Sequence, residues 1–181
     1  MARVFVGIGS NRQRNYHIHA GIKALHTAFA SADNPLRLSR VFESAAVGFA
    51  GKPFYNLVAE LHTSLSPVEL NAHCKQIEQQ FGHSQPSPKF SPRTLDIDIL
   101  LYDEVVSRSP VQLPRDEILA NAFVLWPLAE LAPDLRHPVT AQTFAEIWQD
   151  YHSAQQLEPI SFAFEDLPHL RHSIQQLPGT I

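Results

Sequence analysis

Between Leu95 and Tyr102 the chain reads Leu-Asp-Ile-Asp-Ile-Leu-Leu-Tyr, alternating aliphatic and acidic residues at its start. Strand side chains project alternately to two faces. This spelling therefore predicts a β-strand with Leu95, Ile97 and Ile99 in a core and Asp96 and Asp98 together on the other side. The Cα atoms of the two acids would stand roughly 6.6 Å apart, from the rise per residue. Acids held at that spacing can ligate one or two hard cations. Magnesium suits them, because it takes one or two carboxylates and completes its shell with water and phosphate. Two such ions neutralise the charge that builds up in phosphoryl transfer. Arg93 just before the acids, and Lys89 in the loop ahead of it, suit an anionic substrate bridged to metal. On spacing alone, a solvated pair on an exposed sheet face remains an equal reading.

The elements around this strand follow from periodicity and turn chemistry. Val4 to Ile8 is an apolar run ended by Gly9-Ser10-Asn11, which predicts a buried strand. Ile18, Ile22, Leu25 and Phe29 recur at helical spacing, so roughly 15–30 is an amphipathic helix. Leu36 to Ser44 and Phe54 to Leu61 are predicted strands, separated by a loop over 45–53 that holds two glycines and a proline. Ser66-Pro67-Val68-Glu69 is a capping box with proline at the first helical position. It opens a helix with Leu70, Cys74, Ile77 and Phe81 on one face, and Gly82 stops it. Residues 83–92 carry three prolines and form a second long loop. A short hairpin is expected near Val105-Val106, and helices at Phe123 to Leu131 and Phe144 to Tyr151.

The order β-α-β-β-α-β with added helices predicts an α+β fold, a ferredoxin-like αβ sandwich with a central, mainly antiparallel sheet. Residues 1–152 are expected to form one catalytic domain, and 153–181 an extension on its surface or flexible.

Several function classes are disfavoured. No apolar run approaches the roughly 18 residues that span a bilayer. The first residues enter a strand without a signal-peptide layout, so a cytoplasmic location is expected. The net charge of −4 argues against a general nucleic-acid binder. One cysteine excludes an internal disulfide, and Cys74 on the apolar stripe reads as an inert core residue. The ten histidines are scattered and predict surface positions; no carboxylate or cysteine completes a zinc-like set around them. Neither G-x-x-x-x-G-K-[ST] nor G-x-G-x-x-G nor G-x-S-x-G occurs.

Phe54 and Asn56 lie two apart on a predicted strand and so share a face. An aromatic plate beside an amide suits a flat heterocycle: the ring stacks, and the amide offers a donor and an acceptor. Phe123 is a candidate second plate, though residue type alone would put both phenylalanines in a core.

Four segments now stand in order: Gly7-Ile8-Gly9-Ser10-Asn11, Phe54-Tyr55-Asn56, Pro92-Arg93-Thr94-Leu95-Asp96-Ile97-Asp98-Ile99, and Phe123 through Pro133 with the spelling Phe-Val-Leu-Trp-Pro-Leu-Ala-Glu-Leu-Ala-Pro. Together, over roughly residues 3–150, the chain resembles the 6-hydroxymethyl-7,8-dihydropterin pyrophosphokinases of folate biosynthesis. The resemblance implies transfer of pyrophosphate from ATP to the hydroxymethyl group of the pterin, with release of AMP. It implies that Asp96 and Asp98 hold two magnesium ions against the ATP phosphates, with Arg93 near the reacting groups. It implies that Asn56 bonds the pterin edge between Phe54 and Phe123. Glu78, Lys89, Arg93 and Arg115 would face the nucleotide. A monomer acting on ATP and a pterin, with no nucleic acid or membrane partner, is the expectation.

The chain also departs from the family pattern. An arginine-rich loop close to R-x-R-x-x-R-W-G-P-R is typical after the glycine that ends the helix. Here it reads His83-Ser84-Gln85-Pro86-Ser87-Pro88-Lys89-Phe90-Ser91-Pro92-Arg93, with two permanent cations. Pro114-Arg115 stands for a usual proline–histidine, and Asn121 for a usual arginine ahead of the aromatic. Each absent arginine–phosphate contact is worth about 1.5–3 kcal/mol, the range for hydrogen bonds to charged groups. A second reading is therefore carried forward: a paralogue on the same fold that binds a pterin-like ligand with altered or little transfer.

Overall fold

The computed structural model describes residues 1–45, 51–82, 94–164, 166–167 and 170. Strand β1 (Ala2–Ser10) lies inside the sheet, with a strand on either side, and is followed by α1 (Arg14–Phe29). Strands β2 (Arg37–Leu38) and β3 (Val41–Ser44) come next, then β4 (Phe54–Thr63) and α2 (Pro67–Gln80). After β5 (Asp96–Tyr102) follow α3 (Glu117–Ala120), α4 (Ala122–Leu131), α5 (Phe144–Asp150) and β6 (Leu157–Ile160). The sheet order is β5-β1-β4-β3-β6, with β2 also on β4, and every pairing is antiparallel. The first four strands in that order make the ferredoxin-like arrangement that the periodicity predicts.

Two cores sandwich the sheet. On one side Val4, Val6, Ile8, Leu57, Leu61, Ile97 and Ile99 meet Ile18, Ile22 and Leu25 of α1 and Leu70, Cys74 and Ile77 of α2. On the other, Phe5, Val58, Leu100 and Leu101 meet Leu125, Leu128 and Leu131 of α4 and Phe144 of α5. A register shift at Phe5/Val6 lets the successive residues Leu100 and Leu101 both join this second core. Above the shift the alternation resumes, with Ile97 and Ile99 buried and Asp96 and Asp98 half-buried on the α4 side.

Helix α2 starts as its capping box requires. Ser66 Oγ accepts from Glu69 N at 3.2 Å, and Ser66 N donates to Glu69 Oε2 at 3.2 Å. It stops at Gly82, whose φ of +85° is a conformation glycine adopts without strain. Cys74 is fully buried, and burial pushes its thiol up to about 12.

Some expectations need correction. The strand predicted over 36–44 is interrupted at Ser39. Its N–H donates to the Val58 carbonyl, and its hydroxyl accepts from Val58 N, both at 2.9 Å. The side chain thus stands in for a backbone acceptor and splits the strand. The hairpin expected near Val105-Val106 is a turn, Val105 N to Tyr102 O, and the only pairing there is the bridge of Ser107 with Leu113. In the 153–181 stretch, residues 157–160 pair with β3 as an edge strand, and Phe164 is fully buried. Pro159 hides this strand from sequence reasoning, since proline is tolerated only at an edge.

Among the described residues, His17 and His137 are buried against expectation. His137 Nδ1 accepts from Val139 N at 3.1 Å and Thr140 N at 3.2 Å. Burial lowers its pKa from the usual 6.5. The folded state thus favours the neutral ring, which contributes fully above that value and is lost as pH falls through the folded one. The melting temperature is expected to drop as pH falls below about 6.5, and His137→Asn, which keeps an acceptor, to reduce that drop. An unchanged profile by differential scanning calorimetry would contradict this.

Candidate active site

Helix α4 covers only one end of its side of the sheet, over Phe5, Val58 and Leu100. Toward the other end the side chains of β1 and β5 that point the same way are small or acidic. Gly9 of β1 lies in register with Asp96 of β5 on one flank and with Asn56 of β4 on the other. One step along, Gly7 lies between Asp98 and Val58. The glycines make a floor. A Cβ on Gly9 would stand 2.7 Å from Asn56 Oδ1, whereas one on Gly7 would meet the Leu100 side chain at an ordinary 3.5 Å. Asn56 is buried, and its Nδ2 donates to Ser44 Oγ at 2.9 Å, so the amide is fixed with Oδ1 over Gly9.

Phe54 follows the alternation of β4 onto this same face, at the strand's first residue. Phe123 is the second residue of α4 and, like Phe54, is partly exposed and outside both cores. Pro127, four residues on, cannot donate to the Phe123 carbonyl, so that carbonyl lacks its usual helical partner. Phe123, Ser44 and Ala45 line a cavity of about 430 Å³ together with residues 153–157.

Charge gathers around Asp98. Lys75 Nζ of α2 lies 3.3 Å from Asp98 Oδ1, 2.9 Å from Glu78 Oε1 and 3.3 Å from the Ile97 carbonyl. Arg115 Nη2 lies 3.7 Å from the same Asp98 oxygen, and its guanidinium also pairs with Glu117. The Arg115 N–H donates to the Leu100 carbonyl at 3.0 Å, which anchors this residue to the end of β5. Burial alone would lower both cations, but Asp98, with Glu78 for Lys75 and Glu117 for Arg115, outweighs it and holds both above their ordinary range.

Glu78 is 1% exposed, and its Oε1 accepts from Ile97 N at 2.7 Å. It clamps the β5 backbone between the two acids and neutralises Lys75. Its place on the candidate list therefore rests on holding β5 and Lys75. The predicted residues Asp96, Asp98, Glu78, Arg115, Asn56, Phe54 and Phe123 all fall within the described residues, and Arg115 directly and Glu78 through Lys75 meet the Asp98 carboxylate. Lys89 and Arg93 lie outside the described residues. Lys75 was missed in the sequence. Its signal was Glu78 three residues on, a carboxylate beside an apolar stripe that requires a cation.

Half-buried Asp96 and Asp98 on one face of a rigid strand match the donor set that magnesium accepts, two carboxylates with positions left for water and phosphate. Among the described residues no group of three His, Cys, Asp or Glu is placed to hold a metal ion.

A family model described as 7,8-dihydro-6-hydroxymethylpterin-pyrophosphokinase (HPPK) matches residues 5–133. The chain belongs to this family. The 2-amino-4-hydroxy-6-hydroxymethyldihydropteridine pyrophosphokinase of Aquifex aeolicus is 36% identical over 149 residues, covering 81% of this chain and 90% of that one. That of Pseudomonas aeruginosa is 38% identical over 139 residues, covering 75% and 84%. Among solved structures, wild-type Plasmodium falciparum HPPK-DHPS with pterin and p-hydroxybenzoate superposes with a TM-score of 0.67 at 12% identity. It matches 83% of this chain, which spans 43% of that longer one, and shows the shared fold. No helix among the described residues is long and apolar enough to cross a membrane.

Proposed function

We propose that this HPPK-family chain transfers pyrophosphate from ATP to the hydroxymethyl group of 6-hydroxymethyl-7,8-dihydropterin, giving AMP, in folate biosynthesis. The observation that carries the reading is the register row Asp96–Gly9–Asn56. On this reading the row sets a metal-competent carboxylate and a heterocycle-reading amide on either side of a glycine, on the face of the sheet that α4 covers at its other end.

In this reading the pterin ring lies beside Phe54 and Phe123, with its polar edge on Asn56. The hydroxymethyl oxygen then attacks the β-phosphorus of ATP. The new O–P bond forms as the bond from the β-phosphorus to the α,β-bridging oxygen breaks, AMP leaves, and the hydroxyl proton passes to solvent. Asp96 and Asp98 would hold two magnesium ions, which supply charge neutralisation for the triphosphate when bound. Arg115 and Lys75 stand beside Asp98 to take the phosphate charge, and Arg93 and Lys89 are assigned to the same task. Glu78 keeps β5 and Lys75 in place. The protein's contribution is chiefly positioning and electrostatics, which is what this chemistry requires. Residues 1–152 supply every group that touches the reacting atoms. We place the enzyme in the cytoplasm as a monomer, with ATP and a pterin as its partners and neither nucleic acid nor membrane.

Lys75 and Arg115 also bear on the second reading, a paralogue without transfer. They give the acidic pair two cations independent of the loop at 83–93. Lys75→Met is expected to raise the KM for ATP about tenfold, the effect of one charged hydrogen bond, with pterin affinity unchanged. An unchanged KM for ATP would remove Lys75 from the nucleotide site. The function itself is tested by coupled detection of AMP. Formation that requires both the pterin and magnesium supports transfer, and pterin binding by calorimetry with no AMP at high enzyme favours the paralogue.

A further inference from the structure

Residues 153–160 lie beyond the span of the family model, yet they reach the candidate site at three points. Gln155 Oε1 accepts from Ala122 N at 2.8 Å, and Gln155 Nε2 donates to Asn121 Oδ1 at 3.2 Å. Ala122 is the first residue of α4, and Asn121 before it makes no side-chain cap on its own helix. The first amides of a helix have no partner inside it. Gln155 supplies one from outside, and one amide group thereby grips both residues that precede Phe123. Next, β6 pairs with β3 so that Leu157 lies opposite Ser44, whose hydroxyl holds Asn56. Finally, the cavity of about 430 Å³ has Phe123, Ser44 and Ala45 on one side and residues 153–157 on the other.

We propose that residues 153–157 form the outer wall of the pterin pocket, and that Gln155 is a positioning residue that fixes Phe123. This rests on the pterin reading above. Ala122 is buried, so losing Gln155 takes away the protein acceptor its amide uses and loosens the first turn of α4. Phe123, one residue further, then loses its fixed place beside the ring. The Asn121 side chain accepts from Gln155 Nε2, so the same amide also ties down the residue before the helix.

The test is fluorescence titration of pterin and calorimetric titration of ATP on the full chain. Gln155→Ala is expected to weaken pterin about tenfold, or about 1.4 kcal/mol, and to leave ATP within about twofold. Gln155→Glu keeps the acceptor and adds a negative charge at the start of α4, so it is expected to stay within about threefold of wild type for pterin. Unchanged pterin affinity in Gln155→Ala overturns the proposal, whatever happens to its melting temperature. Equal weakening of pterin and ATP overturns it too, since that would be a structural effect alone. Wild-type protein that binds no pterin overturns the reading beneath it, and the proposal with it.

Discussion

Asp98→Asn is expected to lower kcat by about a thousandfold, which corresponds to about 4 kcal/mol of transition-state stabilisation. The substitution keeps the shape of the side chain and removes its charge. That charge is the one on which Lys75 and Arg115 converge, at 3.3 and 3.7 Å. The variant should still fold, because the strand is held by Leu95, Ile97 and Ile99 on its buried side and by the Glu78 clamp on Ile97 N. Far-ultraviolet circular dichroism should thus match wild type while AMP formation falls. Asp96→Asn should behave alike, being the other carboxylate of the pair. A loss under about tenfold in both would sink the assignment of these acids to metal and phosphate.

Gly9→Ala is expected to raise the KM for the pterin about thirtyfold, or about 2 kcal/mol, with a small effect on ATP. The reason is steric and local. The added methyl would sit 2.7 Å from Asn56 Oδ1, closer than two such atoms can approach. Asn56 cannot step aside without giving up its 2.9 Å bond to Ser44. Recognition of the pterin edge is therefore lost while the sheet persists. Gly7→Ala is the control, since its methyl meets Leu100 at 3.5 Å, an ordinary contact. Steady-state kinetics should show a large pterin effect for Gly9 and a small one for Gly7. Equal effects would mean that the glycine floor does not act through Asn56.

Much of this was readable in the sequence, for reasons that can be named. The alternation at 95–99 assigned both faces of β5, because a strand of period 2 with one face buried leaves no other register. The capping box gave the start of α2, because two orphan amides there are satisfied by side chains three residues apart. Phe54 and Asn56 were legible as a pair for the same periodic reason. What stayed hidden depends on pairing between distant segments. That Gly9 lies between Asp96 and Asn56 is a property of two strand registers. Lys75 is not singled out by its own helix, because its partners Asp98 and Ile97 are on another element. Gln155 sits in a polar stretch with no periodicity, and only β6 pairing with β3 brings it to α4. Ser39 broke a strand through a side chain doing a backbone's work, which apolar patterning does not register.

Pyrophosphoryl transfer to a pterin is the activity proposed for the patch around Asp96, Asp98 and Asn56. Phosphorus NMR of the wild-type chain with ATP, magnesium and 6-hydroxymethyl-7,8-dihydropterin tests it most directly, because it distinguishes which phosphorus is attacked. AMP and a pterin diphosphate are expected to appear together in equal amounts. Appearance of ADP instead, or bound pterin with unconsumed ATP at high enzyme, would contradict the claim.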